Sequence, residues 1–253
     1  MERSDIREQP SNRYNCSRMS LRSIQATQAG YADPPFPFRS VKKCFSLRPR
    51  IFRSRNEDFM AAKKLNYRLP IVTEDKLDDA QRALLESMRA GPRGARVKLG
   101  GPFGVYMHAP QYGEMIQQLG AFVRFKTSLE PRLSEFAILC TARMWRAQYE
   151  WHAHAPIAEQ AGVKPETIRD IKAGRPPKTA AKDERAIFDF IQELYKKRRV
   201  SERNYKRVQG FLGDRGTVEL VGILGYYAAV SMILNVFNVP LPEGTTPYFA
   251  EPK

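Results

Sequence analysis

The fold and the chemistry of this chain are concentrated in two adjacent stretches, LSEFAILCTAR (residues 133–143) and YEWHAHAPIA (residues 149–158). In the first stretch, Phe136, Leu139 and Cys140 recur at steps of three and one residues, which places them on one face of a helix. The second stretch is amphipathic and is followed by a glycine that fits a helix stop. We therefore expect two consecutive helices here.

The chain has three histidines, and two of them fall within the second stretch. Glu150 and His154 are four residues apart, so on a helix they share a face and can hydrogen bond or flank one small molecule. His152 points to the other side, roughly 200° from Glu150. Glu135 lies one helix upstream and reaches the same pocket if the two helices pack antiparallel. These residues are candidates for an acid–base site.

The chain from about residue 74 onward also has a helical pattern, with glycine and proline stops between its apolar segments and no run of strand alternation. A Gly-rich basic loop before Gly101 lacks a phosphate-loop motif, and we interpret it as a connector. The predicted helices cover about residues 74–90, 106–126 with a bend near Pro110, 131–145, 149–161, 164–174, 182–199, 201–212 and 217–239. The sequence therefore predicts an all-α fold.

Residues 1–59 differ from the rest, because they contain clusters of Arg, Ser, Asn and Pro without a sustained apolar period. Such a segment buries too little surface to offset the entropy of ordering it. We predict a basic, disordered leader followed by a helical domain at residues 60–253. Met60 opens a stretch that resembles a natural protein start, so an extension of the gene model is an alternative interpretation of the leader.

The formal net charge of the chain is +15, of which residues 1–59 contribute +6. Positive charge favours anions in general, both phosphate polymers and small carboxylates. No nucleic-acid-binding motif accompanies the charge, so we do not expect a nucleic-acid partner.

The three cysteines, Cys16, Cys44 and Cys140, are scattered without metal-ligand or CxxC spacing, which is typical of a reducing compartment. The longest apolar run, residues 218–239, is interrupted by glycine, serine and asparagine and predicts a buried helix rather than a membrane span. The N-terminus lacks the apolar core of a secretory signal. We expect a cytoplasmic protein without a membrane association.

The two quoted stretches resemble the central motif of the carboxymuconolactone decarboxylase family, which includes the alkylhydroperoxidase D-like (AhpD-like) proteins. The flanks agree, with His108-Ala109-Pro110 before the motif, and Gly225-Tyr226-Tyr227 and Val239-Pro240-Leu241-Pro242 after it. The resemblance covers about residues 68–245. It implies an all-helical AhpD-like fold that assembles into homo-trimers or hexamers, with sites near subunit contacts.

The redox branch of that family carries a glutamate, then a CxxC, then a histidine one helical turn later. Matched residue by residue, the glutamate corresponds to Glu135 and the histidine to His154, whereas the two cysteine positions fall on Ala147 and Glu150. Thiol peroxidase chemistry needs a nucleophilic and a resolving thiol, and neither is present there. Cys140 lies on an apolar face, where free cysteine usually behaves as a small hydrophobe. We therefore expect no peroxidase activity of the CxxC type.

The decarboxylase branch has acid–base residues in this region. The resemblance implies a cofactor-independent enzyme that acts on a small carboxylated or lactone substrate, with Glu135, Glu150 and His154 as its catalytic residues. Decarboxylation into a conjugated acceptor needs a held carboxylate, a stabilised enolate and a proton delivered to carbon. It needs no metal, and we expect neither a metal nor a cofactor.

Four further residues are candidates for substrate binding. Arg143 is suited to pair with a substrate carboxylate through its bidentate fork. The others are His108, His152 and Trp151. Each has a structural alternative, since His108 also fits a helix start beside Pro110, and buried aromatic residues such as Trp151 are common in cores and subunit contacts.

Two other functions stay open. The first is a thiol-independent enzyme of the peroxidase-like branch, and the second is a non-catalytic oligomeric binding or scaffold protein. A polar, open pocket that holds Glu135, Glu150 and His154 within a few ångströms favours an enzyme. A pocket closed by Trp145 or Trp151, with the His154 side chain in the core, favours a scaffold.

Overall fold

The computed structural model describes residues 67–250. The predicted leader, its boundary at Met60, and the cysteines Cys16 and Cys44 lie outside the described residues. Residues 67–250 form helices and short 3₁₀ turns without a strand, so the predicted all-α fold is confirmed. The helices are α1 (Asp79–Ala90), α2 (Pro102–Tyr106), α3 (Pro110–Phe125), α4 (Pro131–Trp145), α5 (Gln148–Gln160), α6 (Pro165–Lys172), α7 (Lys182–Lys197) and α8 (Glu202–Val236).

Helix α1 is fixed by polar groups at its start and by apolar packing along its length. Oδ1 of Asp78 accepts a hydrogen bond from the backbone N–H of Gln81, whose Oε1 accepts one from the N–H of Asp78. This reciprocal capping satisfies two donors that a helix start leaves without an intrahelical partner. The inward face of the helix buries Leu84, Leu85 and Met88.

The structure differs from the predicted single helix over residues 106–126, because α2 ends at Tyr106 and α3 begins at Pro110. Proline has no N–H to donate and disfavours helical backbone in the residue before it. Ala109 is accordingly outside the helical region, with φ −148° and ψ 70°. The chain therefore breaks at this position where the sequence predicted a bend.

Helix α4 lies at the centre of the fold and packs against α5, α6, α7 and α8. Its residues 133–142 are all buried. Burying a large apolar side chain such as Phe136 or Leu139 stabilises the fold by about 1.5–3 kcal/mol. A helix surrounded by others is apolar on every side, and Glu135 is the charged residue within this buried stretch.

Helix α8 is interrupted at Gly213, whose backbone (φ 66°, ψ −176°) is a conformation that glycine adopts far more readily than other residues. The interruption confirms the predicted break after residue 212. By length and composition, α8 is long and apolar enough to cross a membrane, and half of its most apolar window is buried inside the fold. A long core helix meets the same criteria of length and composition.

Candidate active site

The corner between α4 and α5 brings together two of the predicted acid–base residues. Arg146 has left-handed backbone (φ 51°) at the end of α4, and the N–H of Ala147 donates to the carbonyl oxygen of Ala142 over 2.9 Å. Helix α5 then packs against α4. As a result, Nδ1 of His154 lies 2.7 Å from Oε2 of Glu135.

Glu150 completes this cluster from one turn earlier on α5. Its Oε2 lies 3.3 Å from Nε2 of His154. The contact is close enough for an ion pair but is not aligned as a hydrogen bond, and this oxygen has no hydrogen-bond partner among the described residues. The exposed fractions are only 6% for Glu135, 4% for Glu150 and 3% for His154. The imidazole is thus held between two buried carboxyl groups, with one ring nitrogen facing each.

The surroundings of Glu150 change the pKa of its carboxyl group. Burial raises the pKa of the Glu150 carboxyl above its usual value, against the opposing charges of His154 and Arg124, and Glu135 adds to the rise. Glu150 therefore keeps a proton to higher pH than an exposed glutamate does. When Glu135 is ionised, its Oε2 accepts from the Nδ1–H of His154, and this leaves Nε2 as a proton acceptor that faces Glu150.

Two buried tyrosines of α8 cover the cluster. The ring of Tyr227 meets the ring of His154 edge-on, and the ring of Tyr226 meets Tyr227 in the same way, with centroid distances of 5.1 Å in both pairs. Burial raises the pKa of both phenols, and that of Tyr227 most strongly. Both hydroxyl groups consequently stay protonated near neutral pH and are neutral neighbours of the acid–base cluster.

A cavity of about 460 Å³ opens beside Tyr149, the residue that precedes Glu150. Three cationic side chains line it and no acidic one does. One of them, Arg124, acts electrostatically on Glu150. The lining residues are Pro92, Arg93, Val97, Lys98, Gly100, Phe103, Arg124, Phe125 and Tyr149.

The structure does not bring Arg143 or His108 to the acid–base cluster. Nε of Arg143 donates to the carbonyl oxygen of Lys172 over 2.8 Å, and its guanidinium lies over the ring of Phe249, 5.5 Å from the centroid. His108 is exposed, with Nε2 3.0 Å from the carbonyl oxygen of Pro70. Both side chains are therefore engaged elsewhere in this structure.

The two other predicted substrate-binding residues lie on α5 and contact aromatic residues near the C-terminus. Nδ1 of His152 is 2.9 Å from the hydroxyl of Tyr248. Trp151 is buried, and its ring meets the ring of Phe249 edge-on at a centroid distance of 5.3 Å. These contacts join α5 to the C-terminal segment.

The cationic residues beside Tyr149 were not predicted from the sequence. Arg93 and Lys98 belong to the Gly-rich basic loop that the sequence analysis interpreted as a connector, and Arg124 lies in the last turn of α3. The only signal in the sequence was the concentration of positive charge in that loop. Its proximity to Tyr149 depends on packing between segments about fifty residues apart in the chain.

The thiol of Cys140 is poorly placed for nucleophilic chemistry. Cys140 is buried, and burial raises the pKa of its thiol well above its ordinary value, which disfavours the nucleophilic thiolate. Within residues 67–250, no group of three or more His, Cys, Asp and Glu side chains is placed to hold a metal ion.

Comparison with known proteins identifies the architecture. No protein-family signature matches the sequence, and no curated protein matches it either. Among solved structures, the chain is similar to ATU0492 from Agrobacterium tumefaciens, a protein of unknown function described as a candidate antioxidant defence protein AhpD. The TM-score is 0.51 at 14% identity, over 56% of this chain and 98% of that one. This chain has an AhpD-like fold. The AhpD-like architecture implied by the resemblance is thereby confirmed, and at this identity the similarity concerns the fold alone.

Proposed function

We propose that this protein is a cofactor-independent, decarboxylase-like enzyme that acts on a small carboxylated or lactone substrate by acid–base chemistry. The observation that carries the proposal is the buried cluster of Glu135, His154 and Glu150, in which each imidazole nitrogen faces one carboxyl group. Burial raises the pKa of the Glu150 carboxyl, and this favours the protonated form that a proton donor requires.

In the proposed reaction, the bond between the substrate carbon and its carboxylate breaks and carbon dioxide leaves. The bonding electron pair enters the conjugated carbonyl as an enolate, and protonated Glu150 delivers its proton to carbon. His154 takes up the next proton and passes it from Nε2 to Glu150. Glu135 stabilises the imidazolium formed in that step. The net reaction consumes one proton and releases carbon dioxide.

The unpaired oxygen of Glu150 favours an enzyme over a scaffold. A buried carboxyl group with a purely structural role is expected to have its oxygens hydrogen bonded, whereas Oε2 of Glu150 has no such partner among the described residues. The burial of His154 and Trp151 agrees with a scaffold. A scaffold, however, gives no reason to hold an unsatisfied carboxyl 3.3 Å from an imidazole nitrogen.

The test is decarboxylation of γ-carboxymuconolactone by the full chain, followed as loss of substrate and release of carbon dioxide. We expect turnover that falls by a factor of about 10² or more in His154→Ala. His152→Ala is the matched control, because it removes an imidazole from the other side of α5 and should retain activity. Turnover like that of the wild type in a Glu150→Gln, His154→Ala double variant would refute the mechanism.

We also propose that the protein is a homo-oligomer, a trimer or a hexamer. The support is the exposure of apolar side chains on two helices that pack against each other: Met115, Leu119 and Phe122 lie at helical spacing on α3, and α8 exposes Val218 and Val221. Exposed apolar patches of this kind mark association surfaces.

Light scattering of the full chain tests the oligomer. Leu119→Glu should lower the measured mass, because a carboxylate would be buried in the interface. Gln160→Glu introduces the same charge at an exposed position of α5, outside the α3 residues named above, and should leave the mass unchanged. Equal masses for the wild type and Leu119→Glu would contradict an interface on this face.

The remaining expectations stay predictions from the sequence. They are a reducing, cytoplasmic location, no association with a membrane, no nucleic-acid partner, and catalysis without metal or cofactor. The free, buried Cys140 agrees with a reducing location.

A further inference from the structure

The cavity beside Tyr149 is electrostatically suited to anions. Arg93, Lys98 and Arg124 line it, and among residues 67–250 none of the three is within ion-pairing distance of a carboxylate. Unpaired cations that line one concave surface raise the local concentration of anions. The volume of about 460 Å³ falls within the range of sites that bind small molecules.

Aromatic rings hold the two arginines in place. Arg93 lies over the ring of Phe103 and Arg124 over the ring of Phe125, each 5.4 Å from the ring centroid. Nη1 of Arg93 also donates to the carbonyl oxygen of Gln117 over 3.1 Å. Contact through the face of a guanidinium leaves N–H groups on its edge available to a carboxylate, and in Arg93 these are the groups other than Nη1.

The cavity adjoins the acid–base cluster. Tyr149 lines the cavity and immediately precedes Glu150 on α5, and the charge of Arg124 reaches Glu150. Gly101 packs closely against Tyr149, since a Cβ at this glycine would lie 2.5 Å from Cε1 of the tyrosine ring. The charge of Glu150 also acts on the Tyr149 phenol, so Tyr149 lines the cavity and lies within electrostatic reach of the buried carboxyl group.

We infer that this cavity is the substrate-recognition site, and that it binds a small, flat organic anion whose carboxylate is held by Arg93 and Arg124. The rings of Phe103, Phe125 and Tyr149 favour a flat ligand, because planar groups stack on aromatic side chains. The role of the site in a reaction rests on the proposed function, but binding of the anion does not require turnover.

Other cationic groups are less suited to this role. Arg143 is held by the carbonyl oxygen of Lys172 on the side of α4 that faces α6. The basic cleft at the start of α7 contains Arg185 and Arg207, and both pair with Asp189, at 3.1 and 2.9 Å. That carboxylate partly neutralises the cleft, whereas no acidic side chain lines the cavity beside Tyr149.

Titration calorimetry at low salt tests the site with benzoate, a flat monoanion, and benzamide, its neutral analogue of the same shape. The full chain should bind benzoate about tenfold or more tightly than benzamide. Arg124→Gln should weaken benzoate binding by about tenfold. Lys126→Gln removes the same charge two residues further along, outside the cavity, and should change binding by less than about twofold. Arg124 is exposed, so the variant should fold, and its thermal unfolding verifies this.

Glu150→Gln separates recognition from chemistry. The variant should bind benzoate as the wild type does, because glutamine is as neutral as the protonated carboxyl that it replaces, while turnover of γ-carboxymuconolactone is lost. Equal binding of benzoate and benzamide, or equal losses in Arg124→Gln and Lys126→Gln, would overturn the site. If benzoate binds as expected and the lactone is not decarboxylated, the site stands and the proposed reaction fails. If turnover proceeds and Arg124→Gln leaves it unchanged, the reaction stands and the site fails.

Discussion

Replacing Glu150 by glutamine should make the protein more stable at alkaline pH while it removes the proposed proton donor. The side chain is buried, and burial raises the pKa of its carboxyl group. A carboxyl whose pKa rises on folding binds its proton more tightly in the folded state. The tighter proton binding contributes to the free energy of unfolding. This contribution is fully present below the pKa that Glu150 has in the unfolded chain, and it is lost as the pH rises through the higher pKa of the folded state. Glutamine has a similar shape and no such proton to lose.

The size of the effect follows from the contacts of the side chain. Glutamine is also a buried polar group, so the variant avoids only the free-energy cost of burying a negative charge. That charge lies on Oε2 of Glu150, which has no hydrogen-bond partner among the described residues. His154 keeps its shorter contact with Glu135, at 2.7 Å, in the variant. We expect a gain of about 1–2 kcal/mol near pH 8. This corresponds to a rise in Tm of about 2–8 °C for a chain of this size.

Urea unfolding followed by circular dichroism at several pH values measures this difference. The advantage of Glu150→Gln should be largest near pH 8 and should shrink as the pH falls and the wild-type carboxyl takes up its proton. Glu159→Gln, at an exposed position of the same helix, is the matched control and should change stability by less than about 0.5 kcal/mol. A Glu150→Gln protein less stable than the wild type near pH 8 would refute the reasoning. It would mean that the ionised carboxylate stabilises the fold through its contact with His154.

Two further predictions concern the neighbours of this residue. Glu135→Gln removes the carboxylate that orients the imidazole and should lower turnover by a factor of about 10²–10⁴, whereas His152→Gln should not, as measured by steady-state decarboxylation. Gly101→Ala places a Cβ 2.5 Å from the Tyr149 ring at a backbone φ of 59°, so it should cost about 1–2 kcal/mol in urea unfolding and alter benzoate affinity. Gly222→Ala is the contrasting control, because nothing lies within 4 Å of a Cβ there and the helix should gain about 0.5–1 kcal/mol. Loss of stability in both glycine variants, or in neither, would contradict the steric explanation.

The helices were largely predictable because their signals are local. Pro131 and Pro165 begin α4 and α6 as the sequence indicated, and Gly213 provides the expected interruption of α8. The prediction differed around Pro110, where the periodic pattern continues across a break in the backbone. Hydrophobic periodicity records which residues face the core, and it does not record whether the chain remains helical between them.

The position of Arg143 illustrates what periodicity leaves undetermined within the site. Helix α4 is buried along residues 133–142, so its sequence has no polar face that would indicate which neighbour each side chain meets. The sequence predicts Arg143 as a substrate-binding residue, whereas the structure places it against Lys172 and Phe249. Arg124, on a helix with no predicted role in the site, lies beside Tyr149.

The sequence by itself determined the all-helical architecture and the pairing of Glu150 with His154, because a spacing of four residues fixes that proximity within one turn of helix. It named Glu135 only on the condition that α4 and α5 pack together. Tertiary structure decided that condition, and it alone placed Arg93 and Arg124 beside Tyr149. The physical reason is that helix geometry fixes the relative positions of residues three or four apart in sequence, whereas contacts between distant segments depend on how whole helices pack.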